Sequence, residues 1–202
     1  KWVAEAEELK IGYDGKAIAE LSLRIRRGQK IGIIGPNGAG KTTFLKTVAG
    51  LLAPVKGTCQ LGLHIEPGYF DQQMASLTSD KKVLEHFHDL FPAMPEKDVR
   101  NELAAWLFEG ADVQKTVSDL SGGEKARLVL AEILEKRPNF LMLDEPTNHM
   151  DIPARETLES AFRVYKGTML FISHDRYFVE QVADALLIFE NGRVSYYPFG
   201  YR

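Results

Sequence analysis

The sequence predicts an α/β fold built on a mostly parallel sheet, and three observations carry that prediction. The apolar stretch from Lys30 to Ile34 runs into Gly35-Pro-Asn-Gly-Ala-Gly-Lys41-Thr42 and on into Phe44-Leu45-Lys46-Thr47-Val48-Ala49, which reads as strand, glycine loop and helix. Residues Phe140 to Leu143 form a short apolar run that ends in Asp144 and Glu145, the pattern of a buried parallel strand whose carboxyl end meets a crevice. Beyond Leu120, helical and strand periods alternate, as successive βα units require.

In chain order, residues 7–34 show short apolar alternations separated by Gly12, the Asp14-Gly15 turn and Gly28, which predicts an antiparallel β-layer leading into the loop strand. A helix over 42–50 ends at Gly50. Residues 58–70 resume strand character, broken by Gly62 and Gly68. From Lys81 to Val117 the period turns helical, through Val83, Leu84, Phe87 and Leu90 and then Leu103, Trp106 and Leu107, with Pro92 and Pro95 as breakers. One domain is expected, in which a small α-helical subdomain over 73–118 is inserted into a catalytic α/β core of 1–72 and 119–202. The rest reads as helix 124–136, strand 140–143, helix 154–165, strand 168–172, helix 175–183, and strands 185–190 and 193–197.

The chemistry starts at the loop. Its glycines let the backbone turn tightly and aim N–H groups inward, Lys41 reaches terminal phosphates, and Thr42 offers a hydroxyl to Mg²⁺. A nucleoside triphosphate is the expected ligand. Two adjacent acids at a strand end have separate tasks: Asp144 holds the Mg²⁺ shell, and Glu145 points to where a water lies in line with the γ-phosphate. Taken alone, the same pair is also a strand ending in a solvated acidic turn. Ser121, Gly122 and Gly123 lead into a helix from Glu124, so a hydroxyl, bare backbone N–H groups and a helix N-terminus converge on one point suited to an anion. Ser-x-x-Glu is equally a plain capping box.

Bulk properties bound the class. At 202 residues and 45% hydrophobic content the chain can bury one substantial core. No apolar run approaches the ~18 residues that span a bilayer, and the first thirty residues are too charged for a signal peptide, so a soluble chain is expected. The single cysteine, Cys59, cannot form an internal bridge, which points to a reducing, cytoplasmic setting. A net charge of -3 gives no global pull toward nucleic acid, and Arg24, Arg26, Arg27 and Lys30 read mainly as a solvated hairpin face. The start at Lys1 without an initiator Met, and the aromatic tail Tyr196-Tyr-Pro-Phe-Gly-Tyr-Arg202, read as a piece of something longer.

Leu120-Ser121-Gly122-Gly123-Glu124 resembles the signature of ATP-binding-cassette ATPases, and the remaining motifs match that family in order along essentially the whole chain. The resemblance implies a P-loop NTPase core and Mg²⁺-dependent hydrolysis of ATP. It also implies site residues. The nucleotide would be held by Gly35, Asn37, Gly38, Ala39, Gly40, Lys41, Thr42 and Thr43, with Tyr13 stacking on adenine, a position that an ordinary strand aromatic could also fill. Gln72, with Gln73 as the less favoured claimant, would link metal and attacking water to the helical arm, Glu145 and His174 would be catalytic, and Thr42, Gln72 and Asp144 would serve the metal. Ser121, Gly122, Gly123 and Glu124 would face the ATP of a partner cassette, and Asp151 would act across the interface.

Within that family, Glu145-Pro-Thr-Asn-His-Met-Asp151 and Ser173-His-Asp-Arg-Tyr-Phe178 look like the ABC-F branch, whose members carry two cassettes in one chain and act on ribosomes in translation or antibiotic resistance. The tail resembles the end of the second cassette. Ribosome and tRNA are then the implied partners of the full-length protein, beside a second cassette. Glu124 stands where Gln often does, and Met150 where Leu is usual; neither change removes a catalytic group. The motor subunit of a membrane transporter is the alternative reading. A DNA-maintenance ATPase is disfavoured, because only about a hundred residues separate Lys41 from Asp144 and no sustained heptads lie between them.

Overall fold

The computed structural model describes residues 1–200; Tyr201 and Arg202, the end of the aromatic tail, lie outside the described residues. In chain order the strands and helices begin with β1 (Trp2–Tyr13), β2 (Lys16–Arg26), β3 (Lys30–Ile34), α1 (Lys41–Val48), β4 (Lys56–Leu61) and β5 (Pro67–Phe70). The helices α2 (Val83–Leu90), α3 (Glu96–Ala105) and α4 (Gly122–Glu135) follow. Then come β6 (Phe140–Asp144), α5 (Ile152–Val164), β7 (Thr168–Ile172), α6 (Arg176–Val182), β8 (Ala185–Glu190) and β9 (Arg193–Tyr197).

Packing divides the chain into two compact units. The first comprises Lys1–Tyr69, Pro138–Glu145 and the residues from Phe162 on; the second comprises Phe70–Arg137 and Pro146–Ala161. The second unit therefore takes in more than the 73–118 arm that the helical period marks out.

In the first unit one sheet runs in the order β4-β1-β2-β9-β8-β3-β7-β6-β5. Its centre is parallel, β8 with β3, β3 with β7 and β7 with β6. The N-terminal strands pair antiparallel, β1 with both β2 and β4. They continue the same sheet, joined through the Glu20 to Arg193 pairing of β2 with β9. Both hairpins close on the turn their sequence demands. Asp14 and Gly15 lie at φ 52 and 76, Asn191 and Gly192 at φ 51 and 78, which are the two consecutive positive angles of a type I′ turn.

Helix α1 packs against β1, β4, β6 and β7, so the curled sheet wraps it. Phe44, Leu45 and Val48 of α1 meet Leu9 and Ile11 of β1, Ile31 and Ile33 of β3, and Phe140, Leu170 and Phe189 of the parallel strands in one buried cluster. Gly50, at φ 80, ends α1: the Leu51 N–H donates to Lys46 O at 2.9 Å and the Gly50 N–H to Thr47 O at 3.2 Å, a Schellman stop. Gly32 admits α6, since a Cβ there would lie 3.3 Å from both Val179 Cγ1 and Ala183 Cβ. Lys30 departs from the solvated face expected of its basic cluster. Its ammonium donates to Phe162 O at 2.7 Å and Arg163 O at 2.9 Å, and burial pushes its pKa down. It thereby satisfies carbonyls in the last turn of α5.

In the second unit α2, α3 and α4 pack on one another around Val83, Phe87, Val99 and Leu103. His86 of α2 meets Glu132 of α4 at 2.8 Å. Arg127 lies over the Phe108 ring at 4.8 Å and donates to Trp106 O at 2.7 Å. Among the described residues no helix is long and apolar enough to cross a membrane.

Candidate functional site

The loop between β3 and α1 is held open by backbone geometry. Gly35, Gly38 and Gly40 lie at φ 146, 82 and 107, in conformations that residues with a Cβ rarely adopt. A Cβ on Gly35 would also stand 2.3 Å from Phe189 O. Ala39 closes the loop on itself, its N–H donating to Pro36 O at 3.3 Å. No side chain caps α1, whose first residue is Lys41, so its leading N–H groups face the loop as anion donors.

Around this loop lies a cavity of about 410 Å³, a size suited to a nucleotide. Its lining includes Tyr13, Asn37, Gly38, Gly40, Lys41, Thr42, Thr43, Asp144, Glu145 and His174, residues from one end of the chain to the other. Gly35 and Ala39 shape the loop without lining the cavity. Thr42 Oγ1 donates to Asp144 Oδ2 at 2.9 Å. Thr43 Oγ1 donates to the Tyr13 hydroxyl at 3.2 Å, which ties the half-exposed ring to the mouth of the cavity.

Lys41, His174 and Glu145 form a chain of contacts. The Lys41 ammonium donates to Gly35 O and lies 3.3 Å from His174 Nε2, while His174 Nδ1 meets Glu145 Oε1. An ammonium has no lone pair, so Nε2 accepts and the imidazole proton sits on Nδ1, which donates to the carboxylate. The His174 N–H adds a second bond to Glu145 Oε2 at 3.3 Å. Glu145 itself sits at φ 54 just past the end of β6, and its N–H donates to Ile172 O at 2.9 Å. This left-handed turn is the kind of local strain that tertiary packing holds in place at a site. Burial lowers the Lys41 pKa, and the Glu145 and Asp144 carboxylates pull it back up.

The other predicted residues lie in the second unit. Gln72, half-buried, and exposed Gln73 precede a short 3-10 turn, Met74–Ser76, in which Ala75 N donates to Gln72 O at 3.1 Å. Ser121 caps α4: its Oγ accepts from Glu124 N at 3.2 Å, and Glu124 Oε1 accepts from Ser121 N at 3.0 Å. The capping box that the Ser-x-x-Glu spacing allows is thus formed. Ser121 and Gly122 are exposed and Gly123 is buried. A Cβ on Gly123 would lie 2.5 Å from His149 O, whereas one on Gly122 would meet nothing within 4 Å. Asp151 is exposed and starts α5, its Oδ1 accepting from Ala154 N at 3.0 Å.

Residues 18–148 match the family described as ABC transporter. The chain belongs to that family. Relatives of this cassette include YdiF of Bacillus subtilis, 45% identical over 197 residues that make up 96% of this chain and 31% of the relative. ABC transporter F family member 5 of Arabidopsis thaliana is 41% identical over 202 residues, 98% of this chain and 29% of the relative. The expected likeness to the ABC-F branch is borne out by these relatives, and the chain spans about a third of their length. Among solved structures, an ATP-binding subunit of an ABC transporter superposes with a TM-score of 0.80 at 23% identity, over 95% of this chain and 88% of that one. A bacterial Atm1-family exporter with ATP bound gives 0.81 at 21% identity, over 96% of this chain and 38% of that one. At those identities the likeness shows the fold, an ABC ATPase domain.

A cassette of this family binds ATP and in general uses Mg²⁺, and the donor set here fits both. The Thr42 hydroxyl and the Asp144 carboxylate already stand side by side, hard oxygens of the kind Mg²⁺ takes together with phosphate oxygens and water. Two lining residues escaped the sequence reading. Ile172 ends β7 beside the acids, and Ile18, 40% exposed, lies two positions past Lys16, the partner of Tyr13 across the first hairpin. Ile18 falls in the register shift between the Gly12–Ala17 and Ile11–Ala19 pairs, against Gly40 of the loop, and no pattern in the sequence marks it.

Proposed function

We propose that the cassette binds ATP in the cavity of the first unit and hydrolyses it, working as one of a head-to-tail pair. The observation that carries this reading is the convergence of Lys41, Thr42, Asp144, Glu145 and His174 on one cavity. Tyr13 and Ile18 would hold the base, and the N–H groups at the start of α1 the phosphates. Lys41 would leave Gly35 O for the terminal phosphates, a stronger acceptor. Thr42 and Asp144 would hold Mg²⁺. When bound, that ion supplies charge that offsets the negative charge building on the phosphoryl oxygens. Glu145, oriented by His174, would take a proton from the attacking water as oxygen bonds to the γ-phosphorus and the bond to the bridging oxygen breaks, leaving ADP and phosphate.

Pairing is supported by the start of α4. Gly122 is exposed and a Cβ there would meet nothing within 4 Å, which leaves its backbone open to a group that arrives from outside. Ser121, Gly122, Gly123 and Glu124 would face the triphosphate of the second cassette, with Asp151 at the same interface and 73–118 as the helical arm that follows Gln72. ATP then bridges two cassettes until Glu145 removes the bridge, a two-state element biased by the γ-phosphate. The likeness to F-family relatives supports a cytoplasmic chain acting on ribosomes and tRNA, as the second of two cassettes.

Gel filtration of the Glu145→Gln chain tests this reading. ATP is expected to shift it to a pair while hydrolysis falls about a hundredfold, the size of a lost general base. No added pairing with ATP overturns the head-to-tail reading. The family description favours a second reading, the motor subunit of a membrane transporter. Co-sedimentation of the full-length Glu145→Gln protein with ribosomes supports the first; association with a membrane permease instead supports the second.

A further inference from the structure

The signature end of α4 contains a contradiction in charge. Glu124 closes the capping box, and a carboxylate at the third helical position suits the positive end of the helix dipole. The same carboxylate stands one helical turn from the exposed Ser121 and Gly122 backbone, where the reading above brings an anionic triphosphate. A glutamine would cap through the same kind of oxygen and carry no charge.

Lys115 resolves the contradiction. Its ammonium lies 3.5 Å from Glu124 Oε2, the oxygen that does not accept from Ser121 N. The backbone of Lys115 is pinned from both sides: its N–H donates to Asp112 O at 3.1 Å, and its carbonyl accepts from Val83 N, at the start of α2, at 2.9 Å. The side chain is therefore delivered to the α4 terminus from a fixed origin. Asp112 Oδ1, also 3.5 Å from the ammonium, shares it. That carboxylate is occupied elsewhere as well, its Oδ2 accepting from Glu109 N at 3.2 Å. Arg127, the other cation near Glu124, is buried and committed to Trp106 O and the Phe108 ring. Although burial raises the Glu124 pKa, the Ser121 backbone bond and the Lys115 charge more than offset it, and the carboxyl is held below its ordinary value.

We propose that Lys115 is a positioning residue for ATP-driven pairing: it neutralises Glu124, so that the carboxylate can hold the Ser121 cap without repelling the triphosphate of the partner cassette. The proposal rests on the paired reading above and adds to it the residue that permits glutamate at this position. Because the pair is partly exposed, its effect is modest and salt-dependent.

The test is a double-mutant cycle in the Glu145→Gln chain, with the pairing constant in ATP measured by sedimentation at low and high salt. Lys115→Met is expected to weaken pairing about three- to fivefold at low salt and less at high salt, the range of an exposed charge contact. In a Glu124→Gln background the same substitution is expected to change nothing, and Lys115→Arg is expected to retain pairing. Binding of a fluorescent ATP analogue to the dilute, unpaired chain should stay the same in Lys115→Met. Equal weakening with and without Glu124, which a merely structural lysine would give, overturns the proposal. So does no weakening in either background while the parent chain pairs. If the parent chain fails to pair in ATP, the proposal falls together with the reading it rests on.

Discussion

Helices α1 and α4 both begin at glycine-rich backbone, and the two beginnings are built in opposite ways. The start of α1 has no side-chain cap, three glycines at positive φ ahead of it, and a walled cavity around it that holds a lysine, a histidine and two acids. The start of α4 is capped by its own Ser121 and Glu124, exposed at Ser121 and Gly122, with empty space above Gly122. A helix end left unsatisfied inside a pocket waits for a ligand, whereas one satisfied by its own side chains and left bare outside is shaped for a surface that comes to it. The difference teaches which half of a site each end supplies.

The comparison can be broken first at α1. Lys41→Ala should lower ATP affinity about a hundredfold, the size of a lost charge-assisted contact to phosphate, as measured by equilibrium binding of a fluorescent analogue. Retained affinity would mean that the cavity is not where phosphate binds. At α4, Gly122→Ala should weaken ATP-driven pairing about tenfold while leaving the melting temperature unchanged or slightly higher, because alanine favours the helix and meets no neighbour. Gly123→Ala should do the reverse in kind, costing about 1–3 kcal/mol of stability through the overlap with His149 O, seen as a melting temperature several degrees lower. Equal stability losses for both glycines would erase the distinction between an outward and a packed backbone.

The smallest effect sharpens the comparison through pH. Glu124 has its carboxyl held below the ordinary 4.5, so its stabilising contribution is complete above that value and is lost as pH falls through the lower folded value. Melting curves taken down through this range should show an acid-sensitive component that Glu124→Gln removes. An identical acid profile in Glu124→Gln would mean that the cap does not depend on charge.

Much of the fold was legible because its signals are local. The strand, loop and helix around Lys41, the apolar run ending at Asp144, and the Asp14-Gly15 turn each depend on residues adjacent in the chain. The ends of elements moved by a few residues, and the expected strand 58–70 resolves into β4 and β5 with Gly62 between them. Other features had no local signature. Lys30 reads as a surface cation until the last turn of α5 arrives to use it, and Ile18 reads as an ordinary strand residue until the fold sets it against Gly40 at the cavity.

By itself the sequence determined which residues could do chemistry and which segments would be strand, turn or helix, because φ preferences, caps and hydrophobic period act over a few residues. Tertiary structure alone decided which of those groups share a cavity. Thr42 meets Asp144 across 102 positions and His174 meets Glu145 across 29, and those distances are fixed by the parallel pairing of β3, β7 and β6. The physical reason is that strand register transmits position across the sheet, so side chains remote in the chain reach one crevice only when every strand between them is in place.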